Sequence, residues 1–330
     1  MVANGPVLPG HSFLHGNGVR WDMPFGVGIK LPRKDAEKGH MKGPAVSQVP
    51  IGSGRTLRVR RWDGGGRPLV LLHGLLDDSE GWARLARDTH RPCIAIDLPG
   101  FGGSDLPRLP RIGSYAMDIA AGLRRMEVHD CTLVGHSLGG AVATAVAERS
   151  DAVASLALLA PAGFGRIRLS EAMTLPGVIG VAEKALPFAL ANPLVCVAAY
   201  STFVAHRRLP SRDLVDRLRR RAFQSGPGVR AAVEAISFAG RDRRGFVDRP
   251  VAFDGPVAAL WGEHDALVPR AHIKALRLAL PQTHVEVWKD MGHHPQRERP
   301  RQLASFIEQR AARARRGARQ RSRADGSRAA

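Results

Sequence analysis

The segment Thr132-Leu133-Val134-Gly135-His136-Ser137-Leu138-Gly139-Gly140-Ala141 passes from an apolar strand-like run, through Gly-x-Ser-x-Gly, into the alanine-rich stretch Ala141–Ala147. A serine between a strand and a helix sits on a strained turn that lifts its hydroxyl clear of the sheet edge. Glycines at 135 and 139 let the helix pack close to the strand, where a Cβ would collide. Gly-x-Ser-x-Gly alone is a weak signal in a chain with 36 glycines. The strand before it and the helix after it make Ser137 the candidate nucleophile.

A serine hydroxyl is a poor nucleophile at neutral pH and needs an adjacent base. On a sheet of this kind the partners follow in the order serine, acid, histidine. After the apolar run Val257–Trp261 comes Gly262-Glu263-His264-Asp265-Ala266-Leu267-Val268-Pro269, and after Val285–Trp288 comes Asp290-Met291-Gly292-His293-His294-Pro295. Both turns follow the carboxyl end of a strand-like run, the edge where open α/β sheets place their sites. Asp265 is the candidate acid; its rival Glu263 directly follows the Gly262 turn. His293 is the candidate base and His294 its rival. His136 and His264 read as structural, through packing or a backbone hydrogen bond.

Outward from these motifs, short apolar runs recur at Thr56–Trp62, Leu69–Leu72, Cys93–Ile96 and Ser155–Leu159. Helix-like stretches lie among them at Glu80–Asp88, Tyr115–Met126, Leu138–Glu148 and His272–Leu280. Strands that are apolar throughout and alternate with helices imply a mainly parallel sheet covered on both faces, hence an α/β class. The core is expected over 51–164 and 251–310. Residues 165–250 break the alternation: they show helical apolar spacing and no convincing strand, as an all-helical insertion would. Residues 1–50, rich in Gly, Pro and His, read as an irregular extension. Residues 311–330 are Ala, Arg, Gly and Ser for the most part, too poor in apolar area to offset chain entropy, and read as a disordered tail.

The 330 residues carry a net charge of +19. Residues 310–330 hold eight arginines against one aspartate, and residues 165–250 hold fifteen basic against seven acidic groups. A nucleic-acid binder would place such charge on a folded recognition surface, so contact with nucleic acid or an anionic membrane through the tail is a minor reading. Cys93, Cys131 and Cys196 lack metal-ligand spacing, and no apolar run reaches the ~18 residues of a membrane span. No secretory leader is evident at Met1–Gly10. A reduced, cytoplasmic protein without metal or cofactor is expected.

From about Thr56 to Ile307 the chain resembles the α/β-hydrolase superfamily, in the branch holding small esterases, epoxide hydrolases, haloalkane dehalogenases, cofactor-free haloperoxidases and C–C bond hydrolases. Besides the serine turn, the resemblance rests on His73-Gly74 with Trp82 downstream, on Asp97-Leu98-Pro99-Gly100-Phe101-Gly102-Gly103-Ser104, on Gly262 to Pro269, and on Gly292-His293-His294-Pro295 with Glu298-Arg299-Pro300. It implies an eight-stranded, mostly parallel sheet with a helical lid over 165–250. It also implies a Ser137–Asp265–His293 triad, with His293 rather than His294 as base, and an oxyanion hole from the backbone N–H groups of Leu75 and Leu138. Family epoxide hydrolases and dehalogenases have Asp where this chain has Ser137, which disfavours those activities. The C–C hydrolases commonly have Trp where His294 stands. Leu156–Phe164 also resembles the hydrolase-like domain of certain acyltransferase subunits, and no lipoyl-type domain is evident.

The expected activity is therefore hydrolysis of a small-to-medium, largely apolar ester or related acyl substrate. C–C hydrolysis, haloperoxidase-like chemistry and non-catalytic ligand binding are the alternatives. Candidate substrate contacts are His73, Gly74 and His136 beside the nucleophile, and Phe188 and Phe203 in the insertion.

Overall fold

The computed structural model describes residues 43–204, 209–210, 212–224, 226–241, 246 and 249–309. The tail at 311–330 and most of the N-terminal extension lie outside the described residues. Eight strands form one sheet: β1 (Ala45–Gly52), β2 (Arg55–Trp62), β3 (Leu69–Leu72), β4 (Cys93–Ile96), β5 (Cys131–His136), β6 (Val153–Leu159), β7 (Val257–Gly262) and β8 (His284–Trp288). Their spatial order is β1-β2-β4-β3-β5-β6-β7-β8. The β1/β2 and β2/β4 pairs are antiparallel and all later pairs parallel.

The apolar runs make strands because their alternate residues feed two cores. Val70 and Leu72 of β3 face one cluster, while Leu69 and Leu71 face the other. The first cluster packs under α2 (Ile112–Arg125), α3 (Leu138–Ala147) and α9 (His272–Ala279). The second packs Trp82 and, from α1 (Ala83–Asp88), Leu85 together with Leu303, Phe306 and Ile307 of the last helix. Burying both faces of a strand removes any need for polar alternation.

The expected start of the core at residue 51 needs correction, since β1 begins at Ala45. Only Val49 of that strand is buried, so this edge strand carries no period-2 apolar pattern. Its hairpin partner begins just after a turn in which Gly52, Ser53 and Gly54 all have positive φ, a conformation glycine adopts at low cost.

Between β6 and β7 the described residues include five helices, α4 (Arg168–Met173), α5 (Val178–Ala191), α6 (Pro193–Ala199), α7 (Arg212–Gln224) and α8 (Gly226–Arg241). A short π-helical turn, Tyr200–Val204, follows α6. All three cysteines are buried and none forms a disulfide, and burial pushes the Cys93 and Cys131 thiols up to about 12. Among the described residues, no helix is long and apolar enough to cross a membrane.

Candidate active site

The strand order reverses around β3, whose neighbours are β4 on one side and β5 on the other. Chains leaving β3 and β5 therefore diverge and open a crevice at the carboxyl edge. Ser137 stands there, between β5 and α3, with φ 52° and ψ −116°. A non-glycine residue held in such backbone costs about 1–3 kcal/mol and persists only when its surroundings over-determine it. They do so here. The Ser137 N–H donates to the Leu159 carbonyl, and its own carbonyl accepts from the amides of Gly140, Ala141 and Ala162. The tight turn depends on bare glycines: a Cβ at Gly135 would lie 2.3 Å from the Gly139 oxygen, and one at Gly139 2.4 Å from the Leu72 oxygen.

Asp265 and His293 come from the turns after β7 and β8 and meet: His293 Nδ1 donates to Asp265 Oδ2 at 2.7 Å, with the Asp265 side chain fully buried. The second carboxylate oxygen accepts from the amides of Leu267 and Val268, each at 2.9 Å. Burial alone would raise this carboxyl, but His293 and the two amides outweigh it and hold it below its ordinary value. The acid is thus kept ionised and aimed. Glu263 points elsewhere, accepting from the Asp290 amide. His294 is buried beside His293, so the two rivals share the site's wall.

Ser137, His293 and His294 line one cavity of about 280 Å³, together with Leu75, His136, Asp77 and Arg297. Its other walls come from the helical insertion, including Ile167, Cys196, Tyr200, Leu214 and Val233. Leu138 opens α3 directly behind Ser137, at a helix N-terminus where amides have no intrahelical acceptor. Among the described residues, neither the Leu138 nor the Leu75 N–H is given to an acceptor within the fold. Gly74 brings the Leu75 loop close: a Cβ there would lie 2.8 Å from His136 Nδ1 and 3.2 Å from Ser137 Cβ.

The remaining candidate contacts divide. His73 does not line the cavity. Its Nδ1 donates to the Gly74 carbonyl and its Nε2 accepts from the Leu98 amide, so both nitrogens are spent tying the loop after β3 to the loop after β4. Phe188 is not a wall residue either; it is 74% exposed on α5. The side chain of Phe203 lies outside the described residues. His136 lines the cavity and also works structurally, donating from Nε2 to the His293 carbonyl at 2.8 Å. Its Nδ1, buried, has no partner among the described residues.

Two features have roles that the sequence did not reveal. Glu298 accepts from the amides of Gly292 and His294, clamping the His293 turn from below. Asp77 and Arg297 form a buried ion pair at 2.6 Å across 220 residues of chain. That pair ties the loop carrying Leu75 to the helix following His293. Three histidines, His136, His293 and His294, each bring one ring nitrogen within 4.8 Å of the others. A metal ion there would compete with Ser137 for His293.

Burial, reinforced by the neighbouring His293, lowers His136 to about 3 from an ordinary 6.5, and burial lowers His294 as well. In the unfolded chain these rings take up protons first as the pH falls. The contribution of His136 to stability is complete above about 6.5 and declines from there toward about 3, and His294 acts in the same direction. The melting temperature should therefore drop between pH 7.5 and pH 5, and His136→Gln should flatten part of that slope. An equal slope in the variant would show that His136 does not pay a charging penalty in the fold.

Comparison with known proteins adds family to geometry. A family model described as alpha/beta hydrolase fold matches residues 67–300. The dihydrolipoyllysine-residue acetyltransferase component of an acetoin cleaving system from Pseudomonas putida is 33% identical over 270 residues, covering 79% of this chain and 68% of that one. Among solved structures, the epoxide hydrolase CorEH superposes with a TM-score of 0.67 at 18% identity, covering 82% of this chain and 99% of that one. An esterase from Exiguobacterium antarcticum superposes with a TM-score of 0.64 at 17% identity, covering 80% and 98%. At such identities the structural likeness speaks for the fold alone.

Proposed function

This chain belongs to the alpha/beta hydrolase fold family, and we propose that it is a hydrolase that cleaves small-to-medium, largely apolar carboxylic esters through a covalent acyl-enzyme. The observation that carries this reading is the Asp265-bound His293 sharing one apolar-walled cavity with the strained Ser137. In this mechanism His293 Nε2 takes the Ser137 proton as Oγ attacks the ester carbonyl, then returns it to the departing alkoxide. Asp265 fixes the ring's tautomer and stabilises the imidazolium that forms. The Leu75 and Leu138 amides bind the developing oxyanion; one such donor is typically worth ~10²–10³ in rate. Water, activated by the same histidine, then releases the acid. The serine in place of a carboxylate argues against epoxide and haloalkane chemistry. The helical insertion acts as the lid that keeps bulk water from the acyl group. The buried thiols suit a reducing, cytoplasmic setting.

The cavity wall sets an expected specificity. Each CH₂ buried contributes ~0.8 kcal/mol, so each can raise kcat/KM by up to about fourfold until the space is filled. Across p-nitrophenyl esters, kcat/KM should climb from acetate to a medium chain and then fall. A flat series, or a charged substrate preferred over all of them, would overturn the apolar-ester assignment. A second reading has its own observation in the 33%-identical acetyltransferase component: a thiol could take the acyl group from Ser137 instead of water. Thioester formation when a dithiol is added to the ester assay distinguishes the two.

A further inference from the structure

Among the described residues fifteen large apolar side chains stand exposed, and eight of them fall between 169 and 209. They include the two most exposed of all, Phe188 at 74% and Val181 at 67%, together with Leu175 and Leu194. On α5 the outward positions Val178, Val181, Ala185 and Phe188 recur at helical spacing, so this helix turns apolar residues toward solvent where a surface helix ordinarily turns polar ones. Between 169 and 206 the charged residues are only Glu171, Glu183 and Lys184. The following stretch, 207–249, holds twelve arginines against five acidic residues. The insertion is therefore apolar on two sides. Its inner side lines the cavity over Ser137, its outer side is exposed, and α7 and α8, which pack on α5, carry Arg212, Arg217, Arg219 and Arg230.

We propose that this outer face docks on an anionic phospholipid bilayer. A clustered apolar face of this kind marks an interaction surface rather than ordinary scatter. Its partner must be apolar where α5 and the start of α6 touch it and negative beside them, where the exposed Arg230 of α8 reaches α5 at Gly180, and a lipid–water interface with anionic headgroups offers both at once. The apolar side chains enter the boundary between headgroups and acyl chains, and basic groups near the surface add electrostatic attraction to anionic headgroups that salt screens. The net charge of +19 acts in the same direction. Docking in this pose sets the cavity's helical wall against the bilayer, from which an apolar substrate would arrive. The inference concerns binding and stands or falls apart from the ester assignment.

The test is co-sedimentation of the full chain with vesicles of phosphatidylcholine alone and of phosphatidylcholine mixed equally with phosphatidylglycerol, at low and high salt. The wild type should bind the mixed vesicles and lose affinity as salt rises. Val181→Glu/Phe188→Glu should weaken that binding by about tenfold or more, and Val181→Ala/Phe188→Ala by less. Melting temperature and turnover of a soluble acetate ester should stay unchanged in both, because neither side chain lines the cavity. Unchanged binding in both double variants would overturn the proposal and assign the attraction to the basic tail. A wild type that binds neither vesicle, or that dimerises in solution through these residues and ignores lipid, would overturn it as well.

Discussion

Ser137→Ala is expected to lower turnover of a short activated ester by about 10⁴–10⁶-fold while leaving the far-UV spectrum and melting temperature near wild type. The side chain removed is a single hydroxyl; the strained backbone is held by the Leu159, Gly140, Ala141 and Ala162 hydrogen bonds, none of which it makes. His293→Ala should cost a similar factor. Asp265→Asn should cost somewhat less, because an amide can still occupy the space while favouring the wrong ring tautomer. Members of a triad act as a unit, so Ser137→Ala/His293→Ala should lose little beyond either single variant. Steady-state kinetics on purified proteins, with active-site titration by a serine-directed fluorophosphonate, provides the measurement. Substantial turnover in Ser137→Ala would remove the nucleophile assignment. An inactive His294→Ala beside an active His293→Ala would move the base by one residue.

Much of the fold was legible because its strands are local, continuous apolar runs. Leu69–Leu72 and Cys93–Ile96 needed no partner to be recognised, since both faces of each are buried. The Ser137 turn was legible for a related reason: the strand before it and the helix after it announce the motif, and Gly135 answers to Gly139 four residues on, although Gly139 itself makes room for the distant Leu72. β1 was not legible, because an edge strand with one buried residue leaves no periodic trace. Phe188 misled for the opposite reason. An apolar side chain on an apolar helix reads as a wall residue, but sequence pattern alone does not tell which side of an insertion faces the cavity. His73 was placed in the right loop and given the wrong task, since its hydrogen bonds depend on where Leu98 arrives in space.

The largest stability effect is expected at the contact no local pattern could signal. Asp77 and Arg297 are separated by 220 residues and joined at 2.6 Å, with side chains 3% and 10% exposed. Burial acts to lower the guanidinium pKa, but Asp77 and the neighbouring Tyr200 outweigh it and raise it, so Arg297 stays charged in the interior. The close approach also depends on Gly81, where a Cβ would lie 2.6 Å from Asp77 Oδ2. Removing one partner of such a pair leaves a buried charge uncompensated, which typically costs about 3–5 kcal/mol. Asp77→Ala should therefore lower the melting temperature by on the order of 10 °C. Replacing both partners, as in Asp77→Leu/Arg297→Met, removes the stranded charge and should recover much of that loss, because apolar residues of similar volume often substitute for a buried pair at little cost. Activity should not recover in parallel. The pair ties the Leu75 loop to the helix behind His293, and without it the Leu75 amide proposed as an oxyanion donor is less firmly placed, so kcat should remain depressed more than KM is raised. Thermal melts and ester kinetics on the single and double variants separate the two effects. A melting temperature for Asp77→Ala within about 2 °C of wild type would show that the guanidinium finds water or another acceptor when the carboxylate is gone. Full recovery of kcat in the stable double variant would show that the pair supports the fold without positioning the site.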